Sequence, residues 1–239
     1  MAASTRNRGR LTFELARKDE ELLHRLATVL PCTSTLSQRT RDTNFRKAYE
    51  TSVLRIFDLD FRRQMQAWGL PVGRKSRTVK PPDLPMSEVD YVRGLVDGDG
   101  SLGLTAKGYP FVSLNTSSDA IAAFYIDFLH RVTGRPRKTS SRNKHDDTFN
   151  IAVFKEPAQT VSALLYYDGC LALTRKTRAA QAIRAWTRPV GMRFCDSVQL
   201  WTPEQDAYVL SHSVEDSMSA LNRTKQSVDM RLWRLGHAN

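Results

Sequence analysis

Residues 88–101 read Glu88-Val89-Asp90-Tyr91-Val92-Arg93-Gly94-Leu95-Val96-Asp97-Gly98-Asp99-Gly100-Ser101, an apolar helix that ends on two carboxylates set between glycines. Acidic groups at a helix C-terminus face the negative end of the backbone dipole, so Asp97 and Asp99 are opposed there unless positive charge collects beside them. A divalent cation is the natural candidate. Gly94 and Gly98 each cost roughly 1 kcal/mol in a helix interior relative to Ala, which fits a site where another backbone approaches closely. Upstream, Ser87 with Asp90 three residues on reads as a capping box. The stretch Lys80-Pro81-Pro82-Asp83-Leu84-Pro85 cannot be helical and forms a stiff linker.

On either side of that linker the coarse pattern repeats. The first segment reads as a strand at 11–15, a helix at 19–30, a polar basic region to Lys47, a strand at 50–57 and a helix at 60–68. The second has a strand at 111–114, a helix at 119–132, a basic region to Lys144, a strand at 149–154 and a helix from Ala158. The offset is 100 for strand and helix starts, and 101 between Arg74-Lys75-Ser76-Arg77 and Arg175-Lys176-Thr177-Arg178. The shared Arg-Lys-hydroxyl-Arg lifts the match above a common element order and predicts two homologous halves. The same offset places the first half's counterpart of Asp99 ahead of Met1, so this half lacks the acidic helix.

A chain of 239 residues with 41% hydrophobic composition has material for one large core or two small ones and is not a disordered protein. Its formal charge of +11 points to a polyanionic partner, nucleic acid more than membrane. The surplus is +8 over residues 1–85 and +4 over 86–198, against −1 over 199–239. Cys32, Cys170 and Cys195 form no Cys-x-x-Cys pair, which argues against a zinc ribbon or a disulfide framework and reads as buried thiols in a reducing compartment. No stretch has the length of a membrane span, and the N-terminus lacks a signal core. A cytoplasmic, nucleoid- or host-DNA-associated protein is expected.

The third segment opens with a Thr202 cap and Pro203 at the first helical position. One short helix is expected to about Ser211, a second from Val214 to Leu221, and a third capped by Thr224 with Val228, Leu232 and Leu235 on one face. Three short helices ending in a basic one suggest a helix-turn-helix unit, with Lys225, Gln226 and Arg231 toward DNA. A small helical appendage is the plainer alternative.

The Asp-Gly-Asp-Gly run is not an EF-hand loop, because Leu102 stands where Gly is needed and Gly108 where a bidentate Glu is needed. A plain Asp-Gly turn does not account for the eight residues before it. The nonapeptide Val92-Arg93-Gly94-Leu95-Val96-Asp97-Gly98-Asp99-Gly100 resembles the signature of the LAGLIDADG homing endonucleases at both Asp, both outer Gly and the Leu. The likeness extends over about residues 10–190. It implies an α+β protein with two αββαββα halves forming a saddle-shaped antiparallel sheet, the first without its motif helix, plus the all-α C-terminal unit, which is similar to Myb/SANT-like modules. The corresponding boundaries are 1–80, a linker at 81–87, 88–190, and 199–239.

The resemblance implies that Asp99 is the metal ligand, that Gly98 offers its carbonyl nearby, and that Asp97 has a secondary, supporting role. It places two motif helices side by side, with Gly94 and Gly98 at their interface. A basic residue before the last helix maps onto Lys176 and, through the repeat, onto Lys75, as a catalytic cation or a phosphate contact. Mg²⁺ (or Mn²⁺) on one or two carboxylates and the substrate phosphate can supply the nucleophilic water and steady the leaving oxygen. Strands laid along the major groove would read bases. Arg39, Arg41, Arg46 and Lys47 in one half, and Arg135, Arg137, Lys138, Arg142, Asn143 and Lys144 in the other, are the expected DNA contacts.

The expected function is site-specific, metal-dependent cleavage of double-stranded DNA at a long site. A catalytically silent or nicking-only DNA-binding regulator of the same fold is the alternative, against which the retention of Asp97 and Asp99 speaks. One motif supplies one carboxylate site, where a double-strand cut needs two. A start codon set too far downstream, a homodimer through the motif helix, or a degenerate protein would each account for that. The dispersed histidines and the absence of a Gly-rich phosphate loop exclude histidine-activated nucleophilic catalysis and nucleotide-binding fingerprints.

Overall fold

Alternation along Thr51-Ser52-Val53-Leu54-Arg55-Ile56-Phe57 makes a strand that buries Leu54 and Ile56 on one face and turns Arg55 to the other. Around it the first half builds an antiparallel sheet. The computed structural model describes residues 2–3, 9–42, 47–73, 76–136, 142–143, 145–192 and 201–236. Its elements form two compact units, Met1–Arg188 and Pro189–Asn239. The protein is of the α+β class. No helix of the described residues is long and apolar enough to cross a membrane.

The first unit holds both halves. In chain order the first half has β1 (Ala2–Ala3), β2 (Arg10–Ala16), α1 (Glu20–Val29), β3 (Ser34–Arg41), β4 (Tyr49–Phe57) and α2 (Leu59–Ala67), in a sheet ordered β1-β2-β4-β3. The second half has α3 (Glu88–Asp99), β5 (Gly100–Leu104), β6 (Pro110–Thr116), α4 (Asp119–Thr133), β7 (Phe149–Phe154), α5 (Glu156–Leu165) and α6 (Thr174–Arg184), in a sheet ordered β5-β6-β7. All pairings are antiparallel. β3 is a strand within the stretch read from the sequence as a polar basic region. Its sequence, STLSQRTR, carries a single large apolar residue, Leu36, so it lacks the apolar alternation that marks a half-buried strand. The counterpart region of the second half lies mostly outside the described residues.

The second half has the fuller core. α4 places Ile121, Tyr125, Phe128 and Leu129 on one buried stripe, each worth about 2 kcal/mol of burial. Ser118 caps it by accepting from the Ile121 N–H at 3.2 Å, and the same hydroxyl donates to the Val79 carbonyl at 2.6 Å. Gly134, at φ +65°, ends it with a left-handed cap. The stretch 81–87 lies within the first unit, between its two halves. Polar contacts tie the halves together, among them Arg175 to Asp19 at 3.2 Å, the Thr174 hydroxyl to Glu21 at 2.7 Å, Arg25 to the Cys170 carbonyl at 2.9 Å, and Arg77 to Asp147. Cys170 is buried and Cys32 partly so, while Cys195 lies outside the described residues.

The second unit has three helices among its described residues: α7 (Pro203–Ser211), α8 (Val214–Leu221) and α9 (Lys225–Gly236). Thr202, Ser213 and Thr224 cap them through the N–H groups of Gln205, Asp216 and Ser227. Val209 and Val228 are its buried apolar residues.

Candidate active site and nucleic-acid interface

The carboxyl end of α3 gathers the polar chemistry of the first unit. Val92 and Val96 anchor the helix in the core with no exposed surface. Arg93, also buried, donates to the carbonyls of Leu171 at 3.0 Å and Leu165 at 3.3 Å, pairs with Asp90 at 2.6 Å, and lies 5.2 Å from the Tyr167 ring centre. These bonds fix the 165–173 segment against the helix.

The two aspartates have different environments. Asp97 is buried and accepts from the Tyr166 hydroxyl at 2.8 Å on one oxygen and from the Leu173 N–H at 3.0 Å on the other. Burial raises its pKa, against those hydrogen bonds and the nearby Lys176. The same burial, with the carboxylate beside it, pushes the Tyr166 phenol far up, so it stays a donor. The Asp99 carboxylate is exposed and makes no hydrogen bond or ion pair with another described residue. Of the expected metal ligands, Asp99 therefore presents an uncommitted carboxylate beside the exposed Gly98, while both oxygens of Asp97 are bonded within the protein.

Lys176 lies in the first turn of α6 rather than before the helix, because Leu173 is pinned by Asp97 and the helix starts at once. Its ammonium is buried and donates to the carbonyls of Val96, of Asp97 at 3.0 Å and of Gly100 at 2.9 Å. The lysine thus caps the C-terminal carbonyls of α3 and supplies the positive charge that this helix end demands. Burial pulls its pKa down to about 8, with Asp97 the strongest opposing influence and Asp99 a weaker one. Lys75 lies outside the described residues.

The motif glycines separate in the same way. A Cβ on Gly100 would sit 2.6 Å from the Ser113 carbonyl oxygen and 2.7 Å from the Val96 Cα, so only glycine fits where α3 turns into β5. A Cβ on Gly94 or Gly98 would meet nothing within 4 Å. Among the described residues no helix packs on them. They border a trough of about 890 Å³ that runs between α3 and the first half.

The expected DNA contacts have varied settings. Arg39 and Arg41 are exposed on β3, and Arg41 pairs with Glu14 at 3.1 Å. Lys47 is exposed in the turn before β4, and Arg135 just beyond α4. Arg46, Arg137, Lys138 and Lys144 lie outside the described residues. Arg142 is held by Asp119 at 2.8 Å, by the Asp147 carbonyl at 2.8 Å and against the Phe149 ring. Asn143 closes a turn, its N–H donating to the Thr148 carbonyl at 2.7 Å. In the second unit Lys225 and Gln226 are exposed on the first turn of α9, whereas Arg231 is bound to Asp206 at 2.6 Å.

Strand register adds residues that the sequence reading missed. Arg10, Thr12 and Glu14 share the outer face of the first sheet with Arg55, Thr35, Ser37, Arg39 and Arg41. The signal was available in the alternation of Thr35, Ser37, Arg39 and Arg41, once 34–41 is read as a strand. The outer face of the second sheet carries Ser101, Ser113, Asn115 and Asn150 instead, with Phe111 and Phe154.

No family model matches the chain, and no curated protein matches it. Among the described residues no group of three or more His, Cys, Asp or Glu gathers to hold a metal.

Proposed function

We propose that this protein is a divalent-metal-dependent DNA endonuclease of the LAGLIDADG homing type, its two halves forming a saddle over a long double-stranded site. One observation carries the proposal: Asp99, alone of the acidic pair, has an exposed carboxylate without a partner among the described residues, at a helix end that Asp97 and Lys176 hold rigid. Mg²⁺ commonly uses only one or two protein carboxylates with water and substrate phosphate completing its shell, so the donor set of Asp99 and the Gly98 carbonyl fits it. When bound, the ion supplies Lewis-acid stabilisation and an activated water.

The chain's own residues then position and stabilise. Asp97, clasped by Tyr166 and Leu173, keeps the last turn of α3 from fraying and so fixes Asp99. Lys176 neutralises the carbonyl end and offsets the repulsion between Asp99 and the helix dipole. The basic outer face of the first sheet, with Arg10, Arg39 and Arg55, steers the phosphate backbone. The hydroxyls and amides of the second sheet suit base edges, Asn to adenine above all. The second unit adds affinity through Lys225 and Gln226 at the start of α9.

A nicking or silent DNA-binding protein of the same fold is the second reading. It is favoured by the commitment of Lys176 to backbone carbonyls, which leaves one free carboxylate and no free lysine at the site among the described residues. Incubation with a library of DNA sites and Mg²⁺ separates the two: cleavage or nicking that Asp99→Asn abolishes while binding survives supports the enzyme. Binding with no Mg²⁺-dependent strand break supports the silent protein.

A further inference from the structure

Hydroxyls and amides occupy two of the cross-strand rows on the outer face of the second sheet, Asn115 with Asn150 and Ser101 with Ser113. The next row is apolar: Gly103, Phe111 and Phe154 lie opposite one another on β5, β6 and β7. Phe154 is 48% exposed, and Phe111 is partly so. The Phe111 ring leans across β5, its Cε1 3.6 Å from where a Cβ on Gly103 would stand. Tyr109, two residues before Phe111, adds a third ring, and the Lys155 ammonium lies 5.7 Å from its centre.

The backbone bends to build this corner. Lys155 has φ +61° and ψ −134°, a conformation that residues with a Cβ rarely adopt. Its N–H donates to the Pro110 carbonyl at 2.8 Å and its carbonyl accepts from the Gln159 N–H at 3.0 Å, which together hold it there. In the first half Asp58 follows Phe57 as Lys155 follows Phe154, but with ordinary extended angles, and it caps α2 by accepting from the Phe61 N–H at 2.8 Å. Lys155 makes no side-chain cap and carries its ammonium to Tyr109 instead. Opposite Phe57 stands Arg10, not a second ring, so among the described residues the aromatic and cationic corner is particular to the second half. Its charge has one sign. β5, β6, β7 and the turn at 105–109 contain no Asp or Glu, Lys107 is exposed in that turn, and Glu156 is held by Arg188 at 2.6 and 2.7 Å.

A duplex keeps the faces of its bases inside its own stack and offers a protein their edges, which the hydroxyl and amide rows suit. Exposed rings among cations on a sheet suit bases whose faces are free, and they bind single strands by stacking. We propose that Tyr109, Phe111 and Phe154, with Lys107 and Lys155, stack the bases of an unpaired DNA strand and so hold one strand where a duplex is frayed or opened. This rests on the reading of the chain as DNA-binding, and not on its cleaving DNA.

The full chain is titrated in EDTA against labelled oligo-dT of about 20 nucleotides, a blunt duplex and an oligo-rU of matching length. Phe154→Ala is expected to weaken oligo-dT binding about tenfold and duplex binding less than about twofold, with Tm unchanged because the side chain is exposed. Phe154→Trp keeps a flat ring and should bind oligo-dT as the parent does. Lys155→Gly, which accepts the positive φ, should melt no lower than the parent and yet bind oligo-dT about threefold more weakly. Duplex binding without oligo-dT binding, or a Phe154→Ala effect that is equal on the two or absent from both, would overturn the proposal and leave the DNA-binding reading in place. Tighter binding of oligo-rU than of oligo-dT would overturn the choice of DNA. Failure to bind either strand form would bring down the DNA-binding reading and this proposal with it.

Discussion

The two halves of the first unit share an element order and differ in one helix. In the second half α3 covers the sheet, and Val96, Leu114, Ile121, Tyr125 and Leu129 are each at most 1% exposed. In the first half, Leu11, Leu54 and Ile56 are just as deeply buried, yet Phe13, Leu15, Leu22 and Leu26 remain partly open and Trp68 is 40% exposed. The first half therefore leaves part of its apolar set open along the trough beside α3. The outer faces diverge as well, arginine-rich in the first sheet and built of hydroxyls and amides in the second. The half with the acidic helix end has the less basic outer face, and the half without it the more basic one.

The largest effect should come from truncating the same residue type in each half. Leu129→Ala removes a fully buried side chain and is expected to cost about 2–5 kcal/mol, whereas Leu26→Ala, on the trough wall, should cost less than about 1 kcal/mol. Equal losses by chemical denaturation would break the distinction between closed and open halves. Within α3, Gly100→Ala forces a methyl against the Ser113 carbonyl and should destabilise by about 1–3 kcal/mol. Gly94→Ala should stabilise the same chain by up to about 1 kcal/mol, since only helix propensity is at stake. On the outer faces, Arg39→Ala should lower the slope of log affinity against log salt by about one, while Asn115→Ala leaves the slope unchanged and alters site preference.

Much of this was legible in the sequence, because helix caps and apolar stripes are local. Ser87, Thr202 and Thr224 cap where their types and neighbours say they should, and the Ile121, Phe128 and Leu129 stripe is a plain helical repeat. β3 was not legible, since a strand with one large apolar residue is set by its partner β4 rather than by its own pattern. The site divided similarly. The nonapeptide pointed to both aspartates, but the clasp on Asp97 comes from Tyr166 and Leu173, some 70 residues on, and sequence spacing carries no trace of it. The lysine was found and its bonds to the α3 carbonyls were not, because three backbone carbonyls have no signature in side-chain chemistry.

Lys176 also gives the smallest and most specific test of how the acidic helix end differs from the rest of the fold. In the folded chain burial pulls its pKa to about 8, below the 10.5 of an ordinary lysine. Below pH 8 both states hold the proton and the folded state bears the cost of a buried ammonium. Between pH 8 and 10.5 the unfolded chain binds more protons than the folded one, so this group's contribution to stability rises with pH across that window. The charge that offsets the α3 dipole and steadies Asp99 is lost over the same range. Stability attributable to Lys176 should therefore climb above pH 8 while Mg²⁺-dependent cleavage falls. Lys176→Met, which keeps the apolar stem and removes the titration, should flatten the stability rise relative to the parent in thermal melts from pH 7 to 10.5. A variant whose melts track the parent across that range would show that the buried ammonium does not set the pH response of this helix end.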